Sequence, residues 1–301
     1  MLGRSLLLVL AALLALGLAF GVLACGSPST PESSSTTSPG GAASTSPAGS
    51  IPHPSGPADV VLRVSASGGM PSPYIGENYI HQPEFTLYGD GRIILGSPGV
   101  LPDLRTTLVS ETVIQNVLAA AREANLLQDV VDYGAPAITD QDTTTITINA
   151  DGTTYVSAIY ALGFYPQEVS VSTEQQKARD IIDAFRVKLS DPSSFGAPRA
   201  TWEAYDFTVL EVFSAVVPSD TDTSPTDYRT NYLPWPLADL ATSGSLTDAG
   251  RLRKTVIAGD ALAALKAKLS EANEFTRWES GGANYNIWLR PLLPDEATTG
   301  A

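Results

Sequence analysis

The chain is poor in the residues that most enzymes use for nucleophilic and metal chemistry. Its 301 residues include one cysteine, Cys25, and two histidines, His53 and His81. A single cysteine excludes an intrachain disulfide, so the folded part depends on its hydrophobic core. With so little histidine, and without a Gly-x-Ser-x-Gly or Ser-x-x-Lys motif, a Ser–His–Asp or Cys–His enzyme is disfavoured. Zinc is disfavoured too, because it takes several His, Cys or carboxylate ligands.

Positive charge is also scarce. The chain has 18 Lys and Arg residues against 32 Asp and Glu, which gives a net charge of −14. An acidic field of this kind argues against binding to nucleic acid, and against electrostatic docking on anionic lipids or wall polymers. There is neither a Walker loop nor a Rossmann glycine fingerprint, so the sequence predicts no cofactor.

The N-terminus has the three parts of a secretory signal. Arg4 precedes an apolar stretch from Leu6 to Phe20, and small residues come before Cys25. The segment Val22-Leu23-Ala24-Cys25-Gly26 resembles the lipobox of bacterial lipoproteins. This resemblance implies a signal peptide at 1–24, lipid on the thiol of Cys25, and a location on the extracytoplasmic face of the cell membrane. The alternative is an uncleaved transmembrane anchor, since the apolar run is long enough to span a bilayer.

Residues 25–57 are predicted to form a disordered tether between this anchor and a folded body. From residue 26 to residue 57, every residue except Glu32, Ile51 and His53 is Gly, Ser, Thr, Pro or Ala. A segment of this composition cannot bury enough apolar surface to offset the entropy of the chain.

After the tether, the patterns indicate hairpins and single amphipathic helices. Asp90-Gly91 and Asp151-Gly152 each lie between two apolar runs, which predicts two tight hairpins. One helix is predicted after Ser110 and another after Ser172, where Gln175 completes a capping box. Strands that come as hairpins favour antiparallel sheets with helices on one face. The sequence therefore predicts an α+β fold rather than a parallel doubly wound sheet.

The two halves of the folded part show a weak repeat. Arg105 to Asn125 aligns with Arg253 to Asn273 at an offset of 148 residues. The repeat predicts two related lobes, at 58–198 and 199–301, each an antiparallel sheet packed by one or two helices. The alternative is that two amphipathic helices of similar composition align by chance.

Two segments of the first lobe carry a further resemblance. The first is Phe85 to Arg92, around the turn of the first predicted hairpin. The second is Thr139-Asp140, just before the Thr-rich strand. Together with the lipobox and the tether, they resemble a group of actinobacterial-type exported lipoproteins that has no assigned activity. The resemblance covers about residues 58–190. It implies a location and a related fold, and it implies no catalytic residue.

Acidic clusters are one class of candidate site. The run of Asp220, Asp222 and Asp227 weakly resembles a calcium loop, although Pro225 lies where such a loop uses glycine, and Asp140 with Asp142 forms a second acidic pair beside a strand. Solvated turns are the alternative for both clusters. Pairs of carboxylates also suit glycoside hydrolysis, although a chain with 32 acidic residues contains such pairs by chance.

Aromatic residues are the other class. All four tryptophans lie in the second half of the chain, at positions 202, 235, 278 and 288. Trp235 lies between two prolines and follows Tyr232, and we predict that these two residues form an exposed contact surface. The alternative is that the aromatic residues of this half fill a core between helix and sheet. The groove between the lobes is an alternative contact surface. Trp278 and Trp288 lie on an alternating hairpin and are expected in the core.

These observations favour a non-catalytic binding or interaction module at the cell envelope. It would be attached to the membrane through lipid on Cys25, with an envelope protein or a glycan as its partner. One alternative is a carboxylate-dependent cell-wall or glycan hydrolase, and a second is a calcium-stiffened structural protein. No catalytic residue and no metal ligand is assigned.

Overall fold

A computed structural model describes residues 49–72, 75–96, 103–128, 131–164, 171–218, 230–247 and 250–297. The predicted signal peptide, Cys25, most of the tether and the aspartate run from Asp220 to Asp227 lie outside these ranges. Ser46–Ala301 belong to one compact unit. None of the helices in the described ranges has the length and apolar character needed to cross a membrane.

The first lobe is built on an antiparallel sheet. Its strands are β1 Val60–Gly68, β2 Phe85–Tyr88, β3 Arg92–Leu95, β4 Arg105–Leu108, β5 Asp142–Ala150, β6 Thr153–Tyr160 and β7 Glu203–Ala204. They form a 7-stranded sheet in the order β6-β5-β1-β2-β3-β4-β7. Two helices, α1 Glu111–Glu123 and α2 Thr173–Leu189, share a hydrophobic core with β1, β2, β3, β5 and β6.

The second lobe is built on a smaller, mixed sheet. Its strands are β8 Val209–Val216, β9 Tyr232–Pro234, β10 Ser245–Thr247, β11 Leu252–Ala258, β12 Arg277–Ser280 and β13 Ala283–Pro291. They form a 6-stranded sheet in the order β10-β11-β8-β13-β12-β9, in which only β9 and β12 are parallel. The helix α3 Gly259–Leu269 packs against it, and a short helix, α4 Pro294–Ala297, follows β13.

The predicted α+β fold of two sheet lobes is confirmed. The 148-residue offset relates β1 to β8, β4 to β11 and α1 to α3, each pair having the same type of element. The lobes differ between these elements. The hairpin of β2 and β3 has no counterpart in the described part of the second lobe, where β9 and β10 lie at opposite edges of the sheet.

Local sequence accounts for the ends of these elements. Asp151 and Gly152 have φ values of 52° and 71°, as a two-residue hairpin turn with both central residues left-handed requires. Ser172 and Gln175 form the predicted capping box at the start of α2. Ser110 is the N-cap residue of α1, although its side chain makes no capping hydrogen bond.

Residues 49–57 belong to the folded body, so the tether was predicted too long at this end. Ile51 is buried in the core of the first lobe. Its N–H donates to Oε1 of Gln115 at 2.8 Å, and its carbonyl accepts from Nε2 of Gln115 at 3.0 Å. Nε2 of His53 lies 3.1 Å from the Glu111 carboxylate. Two of the three residues that interrupt the composition of the tether, Ile51 and His53, therefore attach this segment to α1.

Each lobe contributes a segment that packs on the other. We call residues 69–72 and 75–84 the strap; they lie in the connection from β1 to β2 and include a 3-10 helix at Ile75–Tyr79. Strap residues pack against a buried cluster on the second sheet, and the rings of Tyr79 and Phe213 stack at 5.3 Å. In return, Leu293 of the C-terminal segment, residues 292–297, packs in a buried cluster with Tyr88 of the first lobe. Each lobe therefore supplies one segment that contacts the other lobe.

Candidate binding cleft

A cleft lies beside the strap at one end of the first sheet. Its volume is about 740 Å³. The end of β1, the start of β5 and the residue after β3 form one side, and the strap forms the other. Its polar lining residues are Ser72, Glu77, Asn78, His81, Gln82, Glu84 and Asp142, and Met70 and Ile80 supply apolar surface. A cleft of this size, part apolar with a few polar groups, suits a small ligand.

Three of the seven polar residues that line the cleft can only accept hydrogen bonds. Three carboxylates, those of Glu77, Glu84 and Asp142, line the cleft, and among the described residues no lysine or arginine does. Glu84 accepts from Nη1 of Arg186 at 3.0 Å, a bond that comes from α2. With Glu84 paired to Arg186, the carboxylates of Glu77 and Asp142 leave the lining negative, which favours a ligand that donates hydrogen bonds.

Gln82 has an unused acceptor next to this cleft. Its Nε2 donates to the carbonyl of Pro291 at 2.7 Å, which fixes the side chain against the second lobe. Its Oε1 is buried and has no hydrogen-bond partner among the described residues. A buried acceptor left without a donor costs about 1–3 kcal/mol.

The strap holds its shape through its own polar groups. The N–H of Ser72 donates to Oδ1 of Asn78 at 2.9 Å, and Nδ2 of Asn78 donates to the carbonyls of Ser72 and Ile75 at 3.2 and 3.3 Å. Oγ of Ser72 donates to Oε2 of Glu77 at 2.5 Å. The wall of the cleft is therefore preformed rather than dependent on a ligand.

The predicted contact residue Trp235 is not exposed, and that part of the prediction is wrong. Its side chain is in the core of the second lobe, with 9% of the residue exposed. Its ring meets that of Trp278 edge to face at 5.4 Å, and its Nε1 donates to the carbonyl of Ala238 at 3.1 Å. The backbone N–H of Trp235 also bonds to Glu279 of β12, which draws the proline-flanked segment into the fold.

The other predicted aromatic residues fall as follows. Tyr232 is exposed on β9, at an edge of the second sheet, and its role in contact stays a prediction. Trp278 and Trp288 are buried, as predicted. Trp235 and Tyr232 therefore do not form one exposed surface, because only Tyr232 is accessible.

The histidines and acidic residues do not assemble a metal site in the part of the chain that the structure describes. No three His, Cys, Asp or Glu side chains there come close enough together to hold a metal ion. Asp140 has a φ of 62° in a turn, while Asp142 lines the cleft. His81 also lines the cleft, and His53 lies against α1.

Comparisons with protein families, curated proteins and solved structures gave no match to this chain. Its chemistry therefore has to be inferred from its own residues. Most residues of the cleft come from the Gly- and Pro-rich connection between β1 and β2, which the sequence indicates only as a loop. The local feature of the sequence that could have indicated a cleft is the high content of Glu, Asn and Gln between residues 77 and 84.

Proposed function

We propose that this protein is a lipid-anchored, extracytoplasmic binding module whose cleft holds an ammonium-bearing ligand, such as an amino sugar of the envelope. The anchor part of the proposal comes from the lipobox-like segment at Cys25. The ligand part comes from the cleft, whose lining includes three carboxylates that can accept hydrogen bonds from a ligand. The acceptor-rich lining is the observation that carries this function.

An ammonium group matches this lining better than a neutral hydroxyl does. It donates three hydrogen bonds and carries a positive charge, while the lining offers acceptors of negative charge. The side chains of Met70 and Ile80 give the cleft an apolar surface on which the face of a sugar ring can rest. We expect binding to weaken with added salt, because the attraction is partly electrostatic and is screened.

The anchor is tested by replacing Cys25 with alanine in the full chain. We expect the unaltered chain to yield an N-terminal peptide that starts at a diacylated Cys25 and partitions into detergent. The altered chain should yield no such peptide. Intact mass of the membrane-extracted N-terminus measures both. An unaltered chain that keeps residues 1–24 without lipid would overturn the anchor and favour a transmembrane segment.

The cleft is tested with glucosamine oligomers and N-acetylated oligomers of the same length. The first carry ammonium groups and the second do not. We expect the full chain to bind the glucosamine oligomers, and Asp142→Asn to weaken that binding about tenfold, the effect of removing one partner of a charged contact. Asp142 is a suitable site because its exposed carboxylate makes no hydrogen bond to another described side chain. Isothermal titration calorimetry measures both affinities.

The matched control is Glu174→Gln, which removes one exposed carboxylate from the first turn of α2, outside the cleft. This variant should bind as the unaltered chain does. Equal weakening by both substitutions would mean that the net charge acts, not the cleft. Equal binding of acetylated and deacetylated oligomers, or binding of neither, would also overturn the assignment of an ammonium ligand.

A carboxylate-dependent hydrolase is the second candidate, because three carboxylates share this cleft. Glycoside hydrolysis uses two carboxyl groups on either side of the scissile bond. The same oligomers separate the two candidates. Shortened products after incubation, lost in Asp142→Asn or in Glu84→Gln, would support hydrolysis, whereas binding without products supports the binding module.

A further inference from the structure

The outer edge of the first sheet is long and lacks the usual protection. Three of the four terminal strands of the two sheets, β7, β9 and β10, are two or three residues long, and β9 ends at Pro234. The fourth, β6, has 8 residues and contains no proline, no glycine and no charged side chain. It pairs with β5 without a bulge. Proteins usually protect an exposed edge with a short strand, a proline, a charged side chain or a bulge, because the unpaired backbone groups of an edge strand form hydrogen bonds with strands of other chains.

Four residues of β6 direct their backbone groups away from the sheet; the carbonyl of the last, Tyr160, accepts from Nη2 of Arg179 at 2.8 Å, which leaves three with both groups free. The N–H of Ala161 donates to the carbonyl of Asp142 at 2.8 Å, which shows that the odd-numbered residues face β5. Residues alternate in an antiparallel pair, so Thr154, Val156 and Ala158 face outward. All three are exposed. Within the described ranges, no backbone hydrogen bond reaches them from outside the sheet.

We infer that this edge binds the same edge of a second copy of the chain. The free groups are symmetric about Val156, since Thr154 and Ala158 lie two residues on either side of it. A two-fold axis at Val156 pairs Val156 with Val156 of the second copy, and Thr154 with its Ala158. Each of these pairs exchanges two backbone hydrogen bonds. The result is one continuous antiparallel sheet across both copies.

The distribution of charge favours a second copy over a basic partner. Two copies of a chain with a net charge of −14 repel each other where their acidic surfaces meet. A basic protein would be attracted to those same acidic surfaces rather than to β6. β6 is neutral, so two copies of it meet without an unfavourable charge pair. Val156 is 55% exposed, and the pairing buries its side chain against that of Val156 in the second copy.

The register is tested by disulfide formation in the full chain, embedded in its membrane. Val156→Cys places two thiols on residues about 5.5 Å apart between Cα atoms, within the range that a disulfide spans. The control is Val187→Cys, a site of similar exposure, at 62%, on α2. We expect at least about ten times more disulfide dimer from position 156 on non-reducing gels, because only that geometry is fixed. The unaltered chain measures any contribution from Cys25.

Strand pairing is separated from simple collision by adding Ala158→Pro to the Val156→Cys chain. Proline removes the outward N–H of residue 158, and an edge strand tolerates it because that N–H is not bonded within the sheet. We expect the dimer to fall at least about fivefold while the melting temperature changes by less than about 3 °C. Equal cross-linking at positions 156 and 187 would overturn the interface. Cross-linking at 156 that survives the proline would overturn strand pairing.

Discussion

Replacing Gly76 by alanine is expected to destabilise the fold by about 3 kcal/mol, the upper end of the range for an added methyl group that cannot be accommodated. The melting temperature should fall by roughly 6–12 °C for a body of this size. Gly76 is the buried residue of the 3-10 helix in the strap. A Cβ atom at this position would overlap the indole ring atoms of Trp288, which is itself buried on β13.

The expected loss comes from this contact and not from the backbone. The φ of Gly76 is outside the left-handed region, so alanine adopts the same backbone conformation without strain. The overlapping atoms belong to a rigid ring, which is held in a cluster with Phe213 and Leu252 and cannot turn aside. The strap must therefore lift from the second sheet, and the cleft that it walls should lose its ligand as well.

A double-substitution cycle identifies the cause. Trp288→Leu alone leaves a cavity, but together with Gly76→Ala it makes room for the new methyl group. We expect the two substitutions together to cost about 1–2 kcal/mol less than the sum of their separate effects, because they share one contact. Chemical denaturation of all three variants measures the difference. Strict additivity would show that the strap does not rest on Trp288.

The parts of the fold that sequence predicts well are those decided by neighbouring residues. Asp90-Gly91 and Asp151-Gly152 fix their hairpins, and Ser172 with Gln175 fixes the start of α2, because turn and capping chemistry acts over a few residues. Hairpins in both halves lead directly to antiparallel sheets. The α+β class follows from this pattern without any long-range information, whereas the two lobes were predicted from the repeat at an offset of 148 residues.

The parts that sequence predicts poorly depend on contacts between distant residues. Trp235 has prolines on both sides, which suggests an exposed segment, but β12 binds that segment and Trp278 covers the ring. Ile51 looks like an isolated apolar residue in a tether until Gln115 of α1 satisfies its backbone. Gly76 carries no local sign that it faces Trp288. The cleft shares this difficulty, because the strap that walls it takes its position from the other lobe.

Asp295→Asn is expected to destabilise the fold by about 2–3 kcal/mol at neutral pH, the cost of removing a charged hydrogen-bond partner from a mostly buried pair. Asp295 lies in α4, and its Oδ1 accepts from Nη2 of Arg63 at 2.8 Å and from Oη of Tyr88 at 2.7 Å. The side chains of Arg63 and Asp295 are 22% and 24% exposed. These bonds attach the C-terminal segment of the second lobe to the first sheet.

The loss should depend on pH in a defined direction. Burial disfavours the charged form of Asp295, but the hydrogen bonds from Arg63 and Tyr88 outweigh burial and hold the pKa of Asp295 below its ordinary value. A lowered pKa stabilises the fold above the unfolded pKa of about 4, and that stabilisation disappears as the pH falls through the folded value. Chemical denaturation from pH 7 to pH 3 measures the difference in free energy of unfolding between the unaltered chain and Asp295→Asn. We expect this difference to be constant at first and to narrow below about pH 4.

Asp103→Asn is the matched control, because it breaks an Asp–Arg pair that lies in solvent. Asp103 and Arg105 are 3.6 Å apart, with side chains 63% and 62% exposed. An exposed pair contributes less than about 1 kcal/mol, so this variant should be nearly as stable as the unaltered chain at every pH. Equal losses from Asp103→Asn and Asp295→Asn would mean that burial does not strengthen the Arg63 pair. The packing of Leu293 against Tyr88 would then be the main attachment of the C-terminal segment to the first lobe, beside the contacts of the strap.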